Sequence, residues 1–360
     1  MRKYKMALCL AVGVFTAAFV FFIESSNEAK LIAIISALIV IMVLNRGNSI
    51  YAKATKIIAR KNPAELPKAI SMMERALDTG CSENNTVIAA TLVLQHGNAD
   101  KAARYLEEMT SSSSKNIRSA AKLSLSMYYW MIRDLDKAIA LAEDVRKEKT
   151  KSANLYVNLC TYYLAKGDRK SFRRTLSDAF KNDSTSVPLI DLQAVYYMTG
   201  SDYEKAGAMI EKLFSQMDPS YPDPYIHYAY IYLHYGHVRD SIRMLKDSLY
   251  SSFTNTSLLQ SSEIEEMIEG LENPATRLKW VDAINSDRML ALKSNLPKIR
   301  KVEVERCTDD ILPGYPEMPD FKNDYVLKSE EDESLESEKT DVSTELNADD
   351  EAWLKSHSES

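Results

Sequence analysis

The chain has 360 residues, 45% of them hydrophobic and 27% charged, with a formal net charge of −6. That balance excludes a generally basic nucleic-acid binder, and the length allows one large domain plus appendages. The four cysteines, Cys9, Cys81, Cys160 and Cys307, lie far apart without a CxxC, which argues against a disulfide framework and for a reducing compartment.

The N-terminus reads as a membrane signal. Residues 6–23 (MALCLAVGVFTAAFVFFI) carry no charge and are long enough for a bilayer core of ~30 Å at ~1.5 Å per residue. A polar break at residues 24–28 precedes a second apolar run, 29–45, whose single early cation is Lys30. Two spans with so short a link predict a transmembrane helical hairpin. Arg2, Lys3 and Lys5 precede the first span, and Arg46, Lys53, Lys56, Arg60 and Lys61 follow the second. The positive-inside rule therefore places both ends in the cytoplasm, with a bacterial cytoplasmic membrane as the simplest setting. A cleaved signal peptide is the competing reading; it lacks a clear small-x-small site after Phe22, and a second span follows directly. Residues 45–49 (NRGNS) read as a hinge, because Asn and Gly break helices. The cations after that hinge either face anionic headgroups or serve only to set topology.

Residues 46–254 are periodic. In 153–186, Leu155, Leu159, Tyr162, Tyr163 and Leu164 form one helical stripe. Gly167-Asp168 breaks it, and Phe172, Leu176, Ala179 and Phe180 form another. The residue that opens the second helix recurs as Ala69, Ala102, Ala138, Phe172, Ala206 and Ser241, at spacings of 33, 36, 34, 34 and 35. Twelve residues before each stand Ile57, Ala90, Ser126, Cys160, Ala194 and Ala229; nine before stand Arg60, Val93, Tyr129, Tyr163, Tyr197 and Tyr232. Small residues let helices approach, and large apolar ones fill the space between them.

This register resembles the tetratricopeptide repeat (TPR) family, whose unit of about 34 residues has a small residue and Tyr in the first helix and Ala in the second. The third to sixth units match well; the first is weakest at Ile57 and Arg60, and the family's Trp and Gly are missing. The resemblance implies an all-α fold, a right-handed α-solenoid of about six helix pairs, with a scaffolding role and, as a rule, no chemistry of its own.

By the same resemblance, the concave groove is lined by Leu94, Leu123, Met127, Trp130, Met131, Val157, Leu164, Met198, Ile226, Tyr230 and Leu233. Such an apolar, Met-containing face suits an amphipathic helix or peptide segment of a protein partner. The competing possibility is a groove filled by the chain itself. The tyrosine pairs 128/129, 162/163 and 196/197 read as interhelix packing rather than a ligand ladder.

Residues 255–295 are expected to be capping helices, with Asn273-Pro274 starting the second of them. Residues 296–328 read as a Pro-rich strap along the array. Residues 329–360 hold twelve acidic and two basic residues and read as a disordered tail. His227, His234 and His237 fall close together, but no nearby Cys or carboxylate completes a zinc set. No Walker loop, GxGxxG, HExxH or nucleophile elbow is present, so no enzyme and no cofactor is expected. The expected function is a membrane-anchored adaptor that binds a partner through its groove, or else a component of a membrane complex assembled through the hairpin.

Overall fold

The computed structural model describes residues 2–22, 26–149, 152–181, 186–216, 218–286 and 311–321. Every regular element among them is helical. The chain divides into two units, Met1–Pro319 and Asp320–Ser360, and all the helices lie in the first. The acidic tail and most of the expected strap lie outside the described residues.

Two apolar helices come first, α1 (Arg2–Phe22) and α2 (Asn27–Leu44). Ser26 caps α2 by accepting the Ala29 amide at 3.3 Å. The Asn45 side chain donates to Cys9 Sγ at 3.9 Å, so the start of α1 lies beside the end of α2 and the pair is antiparallel. Only α2, among the described residues, is long and apolar enough to cross a bilayer; the apolar part of α1 is Leu8–Phe21.

The expected hinge at 45–49 is not one. α3 (Arg46–Ile58) begins immediately, and Asn45 is the only residue between it and α2. Gly47 and Asn48, which read as breakers, do packing work instead. A Cβ at Gly47 would stand 2.2 Å from the Gly80 carbonyl oxygen, so glycine permits this close approach. Asn48 Oδ1 accepts the Ser82 amide at 2.9 Å and the Asn85 side chain at 3.1 Å. Tertiary contacts here override a local propensity of about 1 kcal/mol.

α3 pairs with α4 (Leu66–Thr79). Five more pairs follow: α5 (Glu83–His96) with α6 (Ala99–Met109), α7 (Lys115–Met131) with α8 (Leu135–Lys147), α9 (Ala153–Lys166) with α10 (Arg169–Lys181), α11 (Val187–Thr199) with α12 (Tyr203–Gln216), and α13 (Asp223–His234) with α14 (Val238–Ser248). The repeat register is the core. Ala69, Ala102, Ala138, Phe172, Ala206 and Ser241 are all fully buried, as are Ala90, Ser126, Cys160, Ala194 and Ala229. The weak first unit departs as its sequence does: Ile57 is half-buried, and Arg60 lies beyond the end of α3.

The turns inside the pairs repeat as well. Asn98, Asp134, Asp168 and Asp202 each cap a second helix, accepting the amide three residues on at 2.9–3.2 Å. The residue before the cap is left-handed at Arg133, Gly167, Ser201 and Gly236, with φ of 65°, 75°, 63° and 76°. Two of those four positions carry a side chain, at a cost of about 1–2 kcal/mol each.

The tyrosine pairs pack between helices. Tyr162 is buried with its hydroxyl 3.0 Å from Ser126. Tyr128 and Tyr163 donate to Asp100 at 2.8 Å and Glu143 at 2.7 Å on the preceding second helices. Tyr196 stacks on Phe172 at 5.0 Å.

Beyond the array stand α15 (Ser261–Glu272) and α16 (Arg277–Ser286), which pack on α14 and α13. α16 starts three residues later than its sequence suggests, because Asn273 and Pro274 lead into a turn before it. The end of the expected capping helices, at 295, lies outside the described residues. Trp280 is fully buried against Gly270, where a Cβ would meet its ring at 2.1 Å. Part of the strap is seen: Leu312 donates its amide to the Gly236 carbonyl at 2.9 Å, and Tyr315 covers the same turn.

Candidate interaction groove

The first helices of the pairs, α5, α7, α9, α11 and α13, carry the expected groove residues. Their burial divides them. Leu94, Ile226 and Leu233 are fully buried, and Tyr230, Met198 and Trp130 are nearly so, at 2%, 3% and 6% exposure. These six are core residues, not a surface for a partner. The family-based positions select an inward face, but the repeats lie close enough that much of it is consumed by neighbouring helices and by the chain itself. Leu123, Met127, Met131, Val157 and Leu164 are half-buried.

A segment that follows α14 returns to these first helices. Ser252 donates its amide to Ser220 at 2.9 Å, at the entry to the last pair. Three residues later the chain is at the second pair. The Asn255 amide donates to the Gln95 carbonyl at 2.7 Å, and its side chain donates to the carbonyls of Leu94 at 2.9 Å and Gly97 at 3.0 Å. Those carbonyls belong to the last turn of α5, which has four acceptors without helical partners. Asn255 thus serves as a C-cap supplied from about 160 residues away in sequence. Leu258 then packs on the cluster of Trp130, Leu155, Leu159 and Tyr162, and Leu259 is 1% exposed. Gln260 caps α15 reciprocally with Glu263, which lies within electrostatic reach of Arg133 at the end of α7. Residues 252–260 therefore bridge the second, third, fourth and sixth pairs. Along this stretch the chain's own residues pack against first helices of the array.

Beneath the bridge sits a buried polar cluster. His227 on α13 places Nδ1 2.7 Å from Asp191 Oδ1 on α11, with side chains 2% and 4% exposed. Asp223 accepts the Leu258 amide, and its Oδ1 is enclosed without a partner, as are His227 Nε2 and the Tyr221 hydroxyl. Burial pushes the Asp223 carboxyl up to about 6, with His227 opposing and Asp191 adding to the rise. For His227, burial acts to lower its pKa, but the attraction of Asp191 and Asp223 outweighs it and the imidazole is held above its ordinary value. Burial, with Asp191 and Asp223 nearby, raises the Tyr221 phenol. The histidine is a structural counter-ion. His234 instead stacks on Tyr203 at 3.6 Å, and His237 lies 3.5 Å from Asp240, so the three histidines go to three different neighbourhoods.

Three of these residues carry no weight in the sequence reading: Asp191, Asn255 and Leu258. Asp191 has a sequence signal, a lone carboxylate in the run VPLIDLQAVYYM, 36 residues before His227. That spacing is one repeat, and it sets the pair on neighbouring first helices. Asn255 has no such signal, since its role depends on where the superhelix brings α5.

No family model matches the chain, and no curated protein matches it. Among solved structures, it is similar to a tetratricopeptide repeat protein from Parabacteroides merdae ATCC 43184, with a TM-score of 0.50 and 16% identity, over 76% of this chain and 98% of that one. At that identity the likeness shows the fold, a TPR-like helical array.

Proposed function

We propose that this chain is a non-enzymatic scaffold, anchored by α1 and α2 in a bacterial cytoplasmic membrane with both termini inside, whose array holds a protein partner at the cytoplasmic face. The observation that carries this reading is the join at Asn45, where an apolar helix runs directly into the first helix of the array. The hairpin's apolar side chains stand open, with Phe15, Phe21, Ile32 and Met42 exposed by 76%, 81%, 65% and 69%. Exposed apolar surface on this scale marks contact with lipid or another protein. The partner would meet the half-buried residues beside the bridge, Leu123, Met127, Met131, Val157 and Leu164.

A second reading has its own support. Residues 252–260 pack against first helices of the array, and association through the hairpin in a larger membrane complex needs no groove at all. Two measurements on the full-length chain in native membranes address both readings. After an alkaline wash the chain should remain with the membrane; recovery in the wash would remove the anchor from either reading. A photo-crosslinker at Met131 should then capture one discrete protein. Adducts at Phe15 with none at Met131 would replace the scaffold reading by the assembly reading.

A further inference from the structure

α3 is the outermost helix of the array, and the fold uses only one of its faces. Gly47, Tyr51, Ala54 and Ile58, spaced by four, three and four, turn inward; Gly47 and Ala54 are buried and the other two half-buried. On the other side Arg46, Ser49, Lys53 and Lys56, with Arg60 just past the helix end, are all exposed at spacings of three and four. α3 contains no acidic residue. Lys53 and Lys56 form no ion pair among the described residues, and Arg60 faces Glu65 at 3.5 Å while 66% exposed. Elsewhere on the array several cations are matched, Lys101 with Asp78, Lys137 with Asp134, Lys166 with Asp136 and Lys205 with Asp202, and although α10 also carries exposed cations, its sequence includes Asp178, whereas α3 has no acid at all. The end of a solenoid needs a polar outer face. Mixed charge meets that need, so it does not explain a stripe of one sign.

Position supplies the explanation. Asn45 alone separates the stripe from α2, and Gly47 and Asn48 lock α3 to the array, so the stripe cannot swing away. The antiparallel pairing at Cys9 and Asn45 puts the start of α1, with Arg2, Lys3 and Lys5, at the same end of the hairpin. We infer that the exposed face of α3 is a docking surface for anionic lipid headgroups, an inference that rests on the membrane-anchored reading. α3 runs for ~20 Å, and attraction to a charged surface persists over a Debye length of ~10 Å at 0.1 M salt. The first repeat is then held against the bilayer, and the array leaves the membrane in one orientation.

The test uses the full-length chain in nanodiscs of zwitterionic lipid alone and of the same lipid with anionic phosphatidylglycerol. Lysines are acylated briefly and each site is quantified by mass spectrometry. Labelling of Lys53 and Lys56 should fall by about threefold or more in the anionic discs and recover in high salt. Lys170, exposed on α10, should be unchanged. Lys61, exposed just past α3, should be protected in the same discs in the parent chain and lose that protection in a Lys53→Glu/Lys56→Glu chain. Equal labelling of Lys53 and Lys56 in both discs would overturn the inference while leaving the anchor intact. A chain that enters neither disc would remove the anchor itself, and the inference with it.

Discussion

Asp223 and His227 are the residues at which burial and charge are most at odds. Two carboxylates and one imidazole share a pocket under the Leu258 amide, and one carboxylate oxygen has no donor. Asp223 has a folded value near 6 against an ordinary 3.8. A raised value means the folded state holds the proton more tightly. Its stabilising contribution is therefore complete below about pH 4 and is lost as pH rises through about 6, a change on the order of 3 kcal/mol. His227 acts with the same sign, its contribution fading as pH rises through its own elevated value. In Asp223→Asn the acceptor for Leu258 survives and the buried charge does not. Urea titrations at pH 5, 6 and 7.5 should show this variant more stable than the parent at pH 7.5, with the gap closing towards pH 5. A gap independent of pH would mean that Asp223 is not the titrating group.

At the scale of elements, the joins matter more than the helices. α3 belongs to the array because of Gly47 and Asn48, two residues with poor intrinsic preference for a helix interior. Gly47→Ala would place a methyl where the Gly80 carbonyl stands. We expect a cost of about 2 kcal/mol or more, since neither backbone can shift without opening the α3–α5 contact. Limited proteolysis should find Lys53 and Lys56 cut faster, while the helical signal of the remaining pairs persists. Unchanged cleavage would show that α3 is held by its apolar face alone. The helices themselves were legible. Fully buried residues at 69, 102, 138, 172, 206 and 241, small except for Phe172, appear in the sequence as a period of about 34, and the Asx caps recur with them. Burial along the expected groove was not legible: Met127 and Met131 are half-buried, whereas Leu94 and Ile226, assigned to the same face, are core. Position within a repeat selects a direction, but not how closely the next repeat approaches along it.

For the whole molecule, the bridge of residues 252–260 changes how the array should unfold. An open solenoid is a chain of nearest-neighbour contacts and can lose its ends piecemeal. Here Asn255 ties the second pair to the segment leaving the sixth. Asn255→Ala would leave the Leu94 and Gly97 carbonyls without that donor, at about 1–3 kcal/mol. Hydrogen exchange in α5 should accelerate, and the urea transition should broaden as the two ends of the array uncouple. If α5 exchanges at the parent's rate, the bridge is a passenger rather than a tie.

The sequence by itself determined the fold class, the number of pairs, their register and the two apolar helices at the start. Each of these is written in local periodicity, and local periodicity is a property of composition along the chain. Only the tertiary structure decided that the array begins one residue after α2, that His227 pairs with Asp191, and that residues 252–260 return to α5 and the Trp130 cluster. Those contacts join residues 34 to 161 positions apart. Which of them meet depends on the small rotation from one pair to the next, summed over the array, and no single repeat encodes that sum.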